Sequence, residues 1–176
     1  MNNSRPAVFF DRDGVLNIDR GYVYKIEDFV WMPGAIEAIR RLNELGWRVF
    51  VFTNQSGIAR GYYTEKDVKN LHDYMKEELK AHQAQIDAFY YCPHSDAPEI
   101  EIEKYRIKCR CRKPAPGMIE QACAEWMPID KKRSFAVGDR KTDIEAAQAA
   151  GLEGYLFEGG DLAEFVLGIL EKNQSL

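Results

Sequence analysis

Five short apolar runs, each followed by a segment with helical spacing, constrain the fold of this chain more than any other feature. The runs are Ala7–Phe10, Arg48–Thr53, Ala88–Tyr91, Ser134–Gly138 and Gly154–Phe157. Ala7-Val8-Phe9-Phe10 is continuously apolar, the pattern of a strand covered on both faces. The helical segments carry Ile36, Ile39, Leu42 and Leu45 after Pro33-Gly34, and Val68, Leu71, Met75 and Leu79 over 65–84 behind an N-capping Thr64. Three more follow: Met118, Ile119, Ala122 and Trp126 after Pro116, an alanine-rich stretch over 142–150, and 162–171. Strands alternating with helices predict an α/β fold, a doubly wound Rossmann-like parallel sheet with helices on both faces. At 176 residues a single domain over 1–176 is expected.

Three of the runs end in the same punctuation: Asp11-Arg12-Asp13-Gly14, Thr53-Asn54, and Gly138-Asp139 with Asp143 four residues on. Parallel topology brings those ends to one edge of the sheet, where open α/β sheets bind ligands. A cluster of up to four carboxylates is costly when nothing balances it, and an oxygen-only donor set suits a hard cation such as Mg²⁺. Because Mg²⁺ keeps waters and bridges to phosphate oxygens, a phosphorylated ligand is expected. Thr53 and nearby backbone amides are placed to hold its oxygens, and Lys113 supplies positive charge.

A second constellation is Cys92-x-His94, fourteen residues, then Cys109-x-Cys111, inside an irregular segment. Two close pairs of soft or borderline donors fit a closed, tetrahedral, structural Zn²⁺ site that pins a loop over 92–111. The paired spacing favours this over three buried free thiols and a surface histidine. Cys123, at helical spacing with Trp126, reads as core; His72 and His82, on a charged helix, read as solvated.

A net charge of −4 gives no footing for nucleic-acid or membrane-surface binding, which needs concentrated positive charge. Met-Asn-Asn-Ser-Arg-Pro shows no basic-then-apolar leader and no run approaches a membrane span, so a cytoplasmic protein with reduced cysteines is expected.

Asp-x-Asp-Gly-Val, a strand-terminal Thr, Lys-Pro and Gly-Asp-x-x-x-Asp, in this order, resemble the four motifs of the haloacid dehalogenase-like phosphatase superfamily. The resemblance implies that Asp11 attacks phosphorus to form an aspartyl-phosphate, while Asp13 protonates the leaving oxygen and then activates water. It further implies that Thr53 and Lys113 stabilise the transferring phosphoryl group and that Asp11, the Asp13 carbonyl and Asp139 bind Mg²⁺. The role of Asp143 stays open. Asp19-x-Gly21-Tyr22-Val23, Thr53 to Gly61, Cys-Pro-His, Cys-x-Cys-Arg-Lys-Pro and Gly-Asp-Arg140 narrow the resemblance to the histidinol-phosphate and heptose-bisphosphate phosphatase branch, over roughly residues 8–157.

From that branch, Asp19, Arg20, Gly21, Tyr22, Thr53, Asn54, Gln55, Ser56, Arg112 and Arg140 are expected to contact a small phosphorylated sugar. The two arginines suit its second phosphate, because a guanidinium pairs two oxygens at once; their alternative is surface ion pairing. Ser95 stands where many relatives carry a second histidine, and the tail after Phe157 matches little. No segment is long enough for an inserted cap domain, so the loops at 17–31, 54–62 and 92–112 are expected to set specificity, in a protein expected to be a monomer. On the heptose side the branch serves carbohydrate metabolism and lipopolysaccharide synthesis. A histidinol-phosphatase is the alternative within the branch. A non-catalytic zinc-loop interaction module is the alternative of another class.

Overall fold

The computed structural model describes residues 4–174. Met1–Asn3 and the last two residues of the expected 1–176 domain lie outside them, as does the start of the N-terminal stretch read for a leader. The five strands are β1 (Ala7–Phe10), β2 (Arg48–Asn54), β3 (Ala88–Cys92), β4 (Phe135–Gly138) and β5 (Glu153–Leu156). They form one parallel sheet in the order β3-β2-β1-β4-β5. The chain runs outward from β1 through β2 to β3 and then returns to the other side of β1 for β4 and β5. The order therefore reverses between β1 and β4, the point where such sheets leave a crevice at the strand carboxyl ends.

Register places the residues expected at the site in that crevice. Phe10 is paired with Val51 on one side and Val137 on the other, so Asp11 leaves the sheet where β4 ends, two residues short of the end of β2. Thr53 and Asp139 each lie two residues past those partners, and the Asp11 backbone N–H donates to Val137 O at 3.0 Å.

Five helices cover the sheet: α1 (Ala35–Glu44), α2 (Glu65–Ala81), α3 (Gly117–Glu125), α4 (Lys141–Ala149) and α5 (Leu162–Gln174). Because successive side chains of a strand face opposite ways, β1 serves two cores. Val8 and Phe10 join Val49, Val51, Phe135 and Val137 under α1, α2 and α5. Ala7 and Phe9 join Phe50, Phe52 and Ala136 under α3 and α4. Thr64 caps α2 as expected, accepting from the Asp67 N–H while Asp67 accepts from the Thr64 N–H. Between β1 and β2 stand only a loop with one 3-10 turn (Ile26–Asp28) and α1, with no inserted domain. No helix among the described residues is long and apolar enough to cross a membrane.

Two expectations need correction. Leu45 is 52% exposed, because it follows the last turn of α1 and no longer shares its inner face. His72 is not solvated: it is 3% exposed on the inner face of α2, stacked on Phe89 with ring centroids 4.4 Å apart. The outer layer described by the charges of α2 is only its other face.

Candidate active site

A cleft of about 430 Å³ opens at the strand carboxyl ends and is lined by residues that follow β1, the end of β2 and the loop after it, the Arg112-Lys113 segment and the start of α4. Asp11 is at its floor. Burial pushes the Asp11 carboxyl up to about 7; the Lys113 charge opposes the rise, while Asp143 and Asp13 add to it. Lys113 is itself buried. Its ammonium lies 3.0 Å from Asp11 Oδ1 and 2.6 Å from Asp143 Oδ1, and it donates to Phe52 O at 2.8 Å. Burial works against that charge, but the two carboxylates outweigh it and hold the lysine above its ordinary pKa. The Asn54 side chain clamps the same residue, donating to Lys113 O and accepting from Lys113 N–H.

Asp143, left without a role by the sequence, joins the floor. One of its oxygens takes the lysine, and the other accepts from Arg140 N–H at the start of α4 at 3.0 Å.

The structure also answers whether the acids fit a cation. Carboxylate oxygens of Asp11, Asp139 and Asp143 lie within 4.8 Å of one another, with a single lysine among them. Burial, then the Asp143 charge, raises the Asp139 pKa, and Asp139 Oδ1 is buried without any hydrogen-bond partner. A buried, unpartnered carboxylate oxygen is an uncompensated cost. The backbone has also been brought close to it: Gly14 has φ +87°, and a Cβ there would sit 2.2 Å from Asp139 Oδ2. An all-oxygen set of this charge matches Mg²⁺.

Asp13 faces the cleft from a different web. Its carboxylate accepts from Arg12 Nη2 at 3.1 Å to each oxygen, from Asn17 Nδ2 at 3.0 Å and from Gln55 Nε2 at 3.0 Å. Gln55 also donates to Thr53 Oγ1 at 2.9 Å, tying two expected site residues together. The orientation of its amide follows from its neighbours. Arg12 can only donate, so Oε1 must face it, 3.4 Å away, and Tyr63 O–H donates to the same oxygen at 2.6 Å. Arg12, Asn17, Tyr63 and His72 were not singled out from sequence as site residues, although each belongs to this web.

The four soft donors come together as expected. The Sγ atoms of Cys92, Cys109 and Cys111 and Nδ1 of His94 lie within 4.8 Å of one another. Hydrogen bonding from Cys92 first, then Cys109 and His94, lowers the Cys111 thiol to about 5, against the effect of burial. Three cysteine sulfurs and an imidazole, with the Cys111 thiol held below its ordinary pKa, are a donor set that fits Zn²⁺. The loop also has support of its own: Ile100 is buried, and Tyr91 and Tyr105 both donate to Glu65 of α2. Cys123 is half-buried against the α3 core.

The expected substrate contacts divide. Asp19, Gly21, Tyr22, Asn54, Gln55, Ser56, Arg112 and Arg140 line the cleft with Thr53, while Arg20 is exposed outside its lining. Arg112 donates to His94 O at 3.2 Å, so the soft-donor loop holds it. Arg140 is 71% exposed at the mouth, 3.7 Å from Asp19. Tyr22 has a left-handed φ of 51° and packs edge-to-face on Tyr62.

Residues 110–164 match the profile of a family described as HAD-hydrolase-like. A Rhodopseudomonas palustris protein named D-glycero-beta-D-manno-heptose-1,7-bisphosphate 7-phosphatase is 48% identical over 97% of this chain and 93% of its own. An Escherichia coli K12 protein of the same name is 43% identical over 86% of this chain and 78% of its own. Among solved structures, the D,D-heptose 1,7-bisphosphate phosphatase of B. bronchiseptica, in complex with magnesium and phosphate, superposes with a TM-score of 0.81. It is 30% identical, over 95% of this chain and 99% of that one.

Proposed function

The chain belongs to the heptose-1,7-bisphosphate 7-phosphatase family of HAD-like hydrolases, and from that membership we infer that it removes the 7-phosphate of D-glycero-D-manno-heptose 1,7-bisphosphate. It is a phosphoric monoester hydrolase. The observation that carries the mechanism is the buried Asp11–Lys113–Asp143 cluster beside a separately bonded Asp13.

Asp11 attacks phosphorus, and its new O–P bond forms as the bond from phosphorus to O7 breaks. Asp13 gives the departing O7 its proton, so the sugar leaves as an alcohol. In the second half Asp13 takes a proton from water as the water oxygen bonds to phosphorus. The Asp11–phosphorus bond then breaks to return the carboxylate and release phosphate. Thr53 Oγ1 and Lys113 Nζ neutralise charge on the transferring oxygens, and the Asn54 clamp keeps the lysine aimed. Asp11, the Asp13 backbone carbonyl and Asp139 would hold Mg²⁺, which when bound would neutralise phosphoryl charge and orient the group for in-line attack. Cys92, His94, Cys109 and Cys111 would hold Zn²⁺, and through the His94 carbonyl the loop presents Arg112. Arg112 and Arg140 take the 1-phosphate, and Asp19, Gly21, Tyr22, Gln55 and Ser56 line the sugar between. A cytoplasmic monomer acting without nucleic acid or membrane completes the reading.

The deciding experiment compares kcat/KM for the heptose bisphosphate with that for histidinol phosphate. A preference for the heptose bisphosphate of at least tenfold is expected, and an equal or reversed preference overturns the substrate assignment.

A further inference from the structure

Arg12 and His72 are buried, ionisable and unused by the mechanism above. Arg12 is 0% exposed, which for a guanidinium is tolerable only if every donor direction is answered. Its Nη2 takes Asp13, Gln55 and the Val23 carbonyl, its Nε lies 3.3 Å from Asp13 Oδ1, and its Nη1 lies 3.3 Å from His72 Nε2. A guanidinium has no acceptor, so Nε2 must present its lone pair, and the ring is the neutral Nδ1–H tautomer. Burial first, then the charges of Arg12 and Lys76, drives its pKa well down, in agreement with that form. Stacking on Phe89 of β3 fixes the plane of the ring.

We propose that His72 is a positioning residue for the phosphatase reaction: through Arg12 it fixes the direction in which Asp13 presents its carboxyl to the leaving oxygen. The inference rests on the proton-transfer role given to Asp13 above. Without the Nε2 acceptor, one end of the buried guanidinium is unanswered. The cheapest relief is a turn of Arg12, and Asp13 accepts from two of its nitrogens and must turn with it. The lesion therefore reaches proton delivery first, since the Arg12 and His72 side chains have no hydrogen bond to Asp11, Lys113, Asp139 or Asp143.

That selectivity can be measured. A sugar alkoxide needs a proton to leave, whereas p-nitrophenolate leaves without one, and kcat/KM reports the steps through phosphoryl transfer for both. H72F keeps the ring stack and deletes the acceptor. It is expected to lower kcat/KM for the heptose bisphosphate about tenfold, and that for p-nitrophenyl phosphate less than about twofold, a small part of what general acid catalysis supplies. Inhibition by inorganic phosphate should not change, and H72Q, whose Oε1 reaches where Nε2 lay, should restore most of the loss. Equal loss on both substrates, or no loss on either, overturns the proposal. If H72F does not fold, R12K decides with the same two substrates, because one ammonium cannot span Asp13, Val23 O and His72 together. A wild-type protein inactive on the bisphosphate counts against the function itself; an active one with a leaving-group-independent defect counts against His72 alone.

Discussion

The floor and the rim of the cleft are built by opposite rules. On the floor, Asp11, Thr53, Lys113 and Asp143 are buried; Asp11, Lys113 and Asp143 are each held by more than one partner, and Thr53 Oγ1 accepts from Gln55. At the rim, Asp19, Gly21, Tyr22 and Arg140 are exposed on loops or at a helix start, with few bonds to spare or to lose. Geometry that is over-determined suits a step in which charge must be met without rearrangement, whereas guanidinium donors left open to solvent suit a ligand that brings its own oxygens. On the proposed mechanism, the chemistry is thus invested in the buried floor, and recognition in the exposed loops at the rim.

Asp11→Asn attacks the floor at its centre and carries the largest expected effect. The nucleophile is lost, so turnover should fall on the order of 10⁴-fold or more while the protein keeps its fold and its affinity for inorganic phosphate. Phosphate release measured at high enzyme concentration checks this, and retained turnover would show that the floor is not the reacting centre.

Stripping the soft-donor loop with a chelator tests whether floor and rim are separable. Lys113 follows Cys111 by two residues, yet it has its own restraints in Asn54, Phe52 O, Asp11 and Asp143, whereas Arg112 is held through the His94 carbonyl. Metal removal is expected to raise KM about tenfold with kcat within about threefold, and to lower Tm by about 5–10 °C, the shift that about 2–4 kcal/mol gives a domain of this size. Zinc should restore both. A collapse of kcat with unchanged KM would mean that the loop aims the lysine after all.

Asp11 and Asp139 were legible in the sequence because each directly follows an apolar run, and parallel strands bring such ends together whatever the loops do, whereas Asp143, inside α4, entered only by its spacing from Asp139 and without a role. The soft-donor site was legible from spacing alone. Arg12 was not, since a charged residue between two acids reads as solvated, and its partners Val23, Gln55 and His72 come from three separate segments. His72 did carry a signal. Val68, Leu71, His72, Met75 and Leu79 form one i, i+3, i+4 stripe, and a histidine inside such a stripe is on the buried face. The surrounding charges of α2 hid a position that its period reveals. At the rim, loop residues adjacent in sequence were taken together, and only the folded loop separates Arg20 from Asp19, Gly21 and Tyr22.

That separation yields the finest cut of the comparison, within the rim itself. Arg140 lines the cleft opposite Asp19, and Arg20 is also exposed and carries the same charge but lies outside the lining. If the rim acted by general attraction of an anionic substrate, the two arginines would be interchangeable, and losing either would weaken binding by a similar, salt-screened amount. If it acts by direct pairing of a guanidinium with the 1-phosphate, only Arg140 matters. Arg140→Ala is expected to raise KM about tenfold at unchanged kcat, the scale of one charge-assisted contact. Arg20→Ala is expected to move KM less than about twofold at low salt and not at all at physiological ionic strength, where charges beyond about 8 Å are screened. Steady-state kinetics of both variants at two salt concentrations check this. Equal effects would turn the rim from a binding surface into a field.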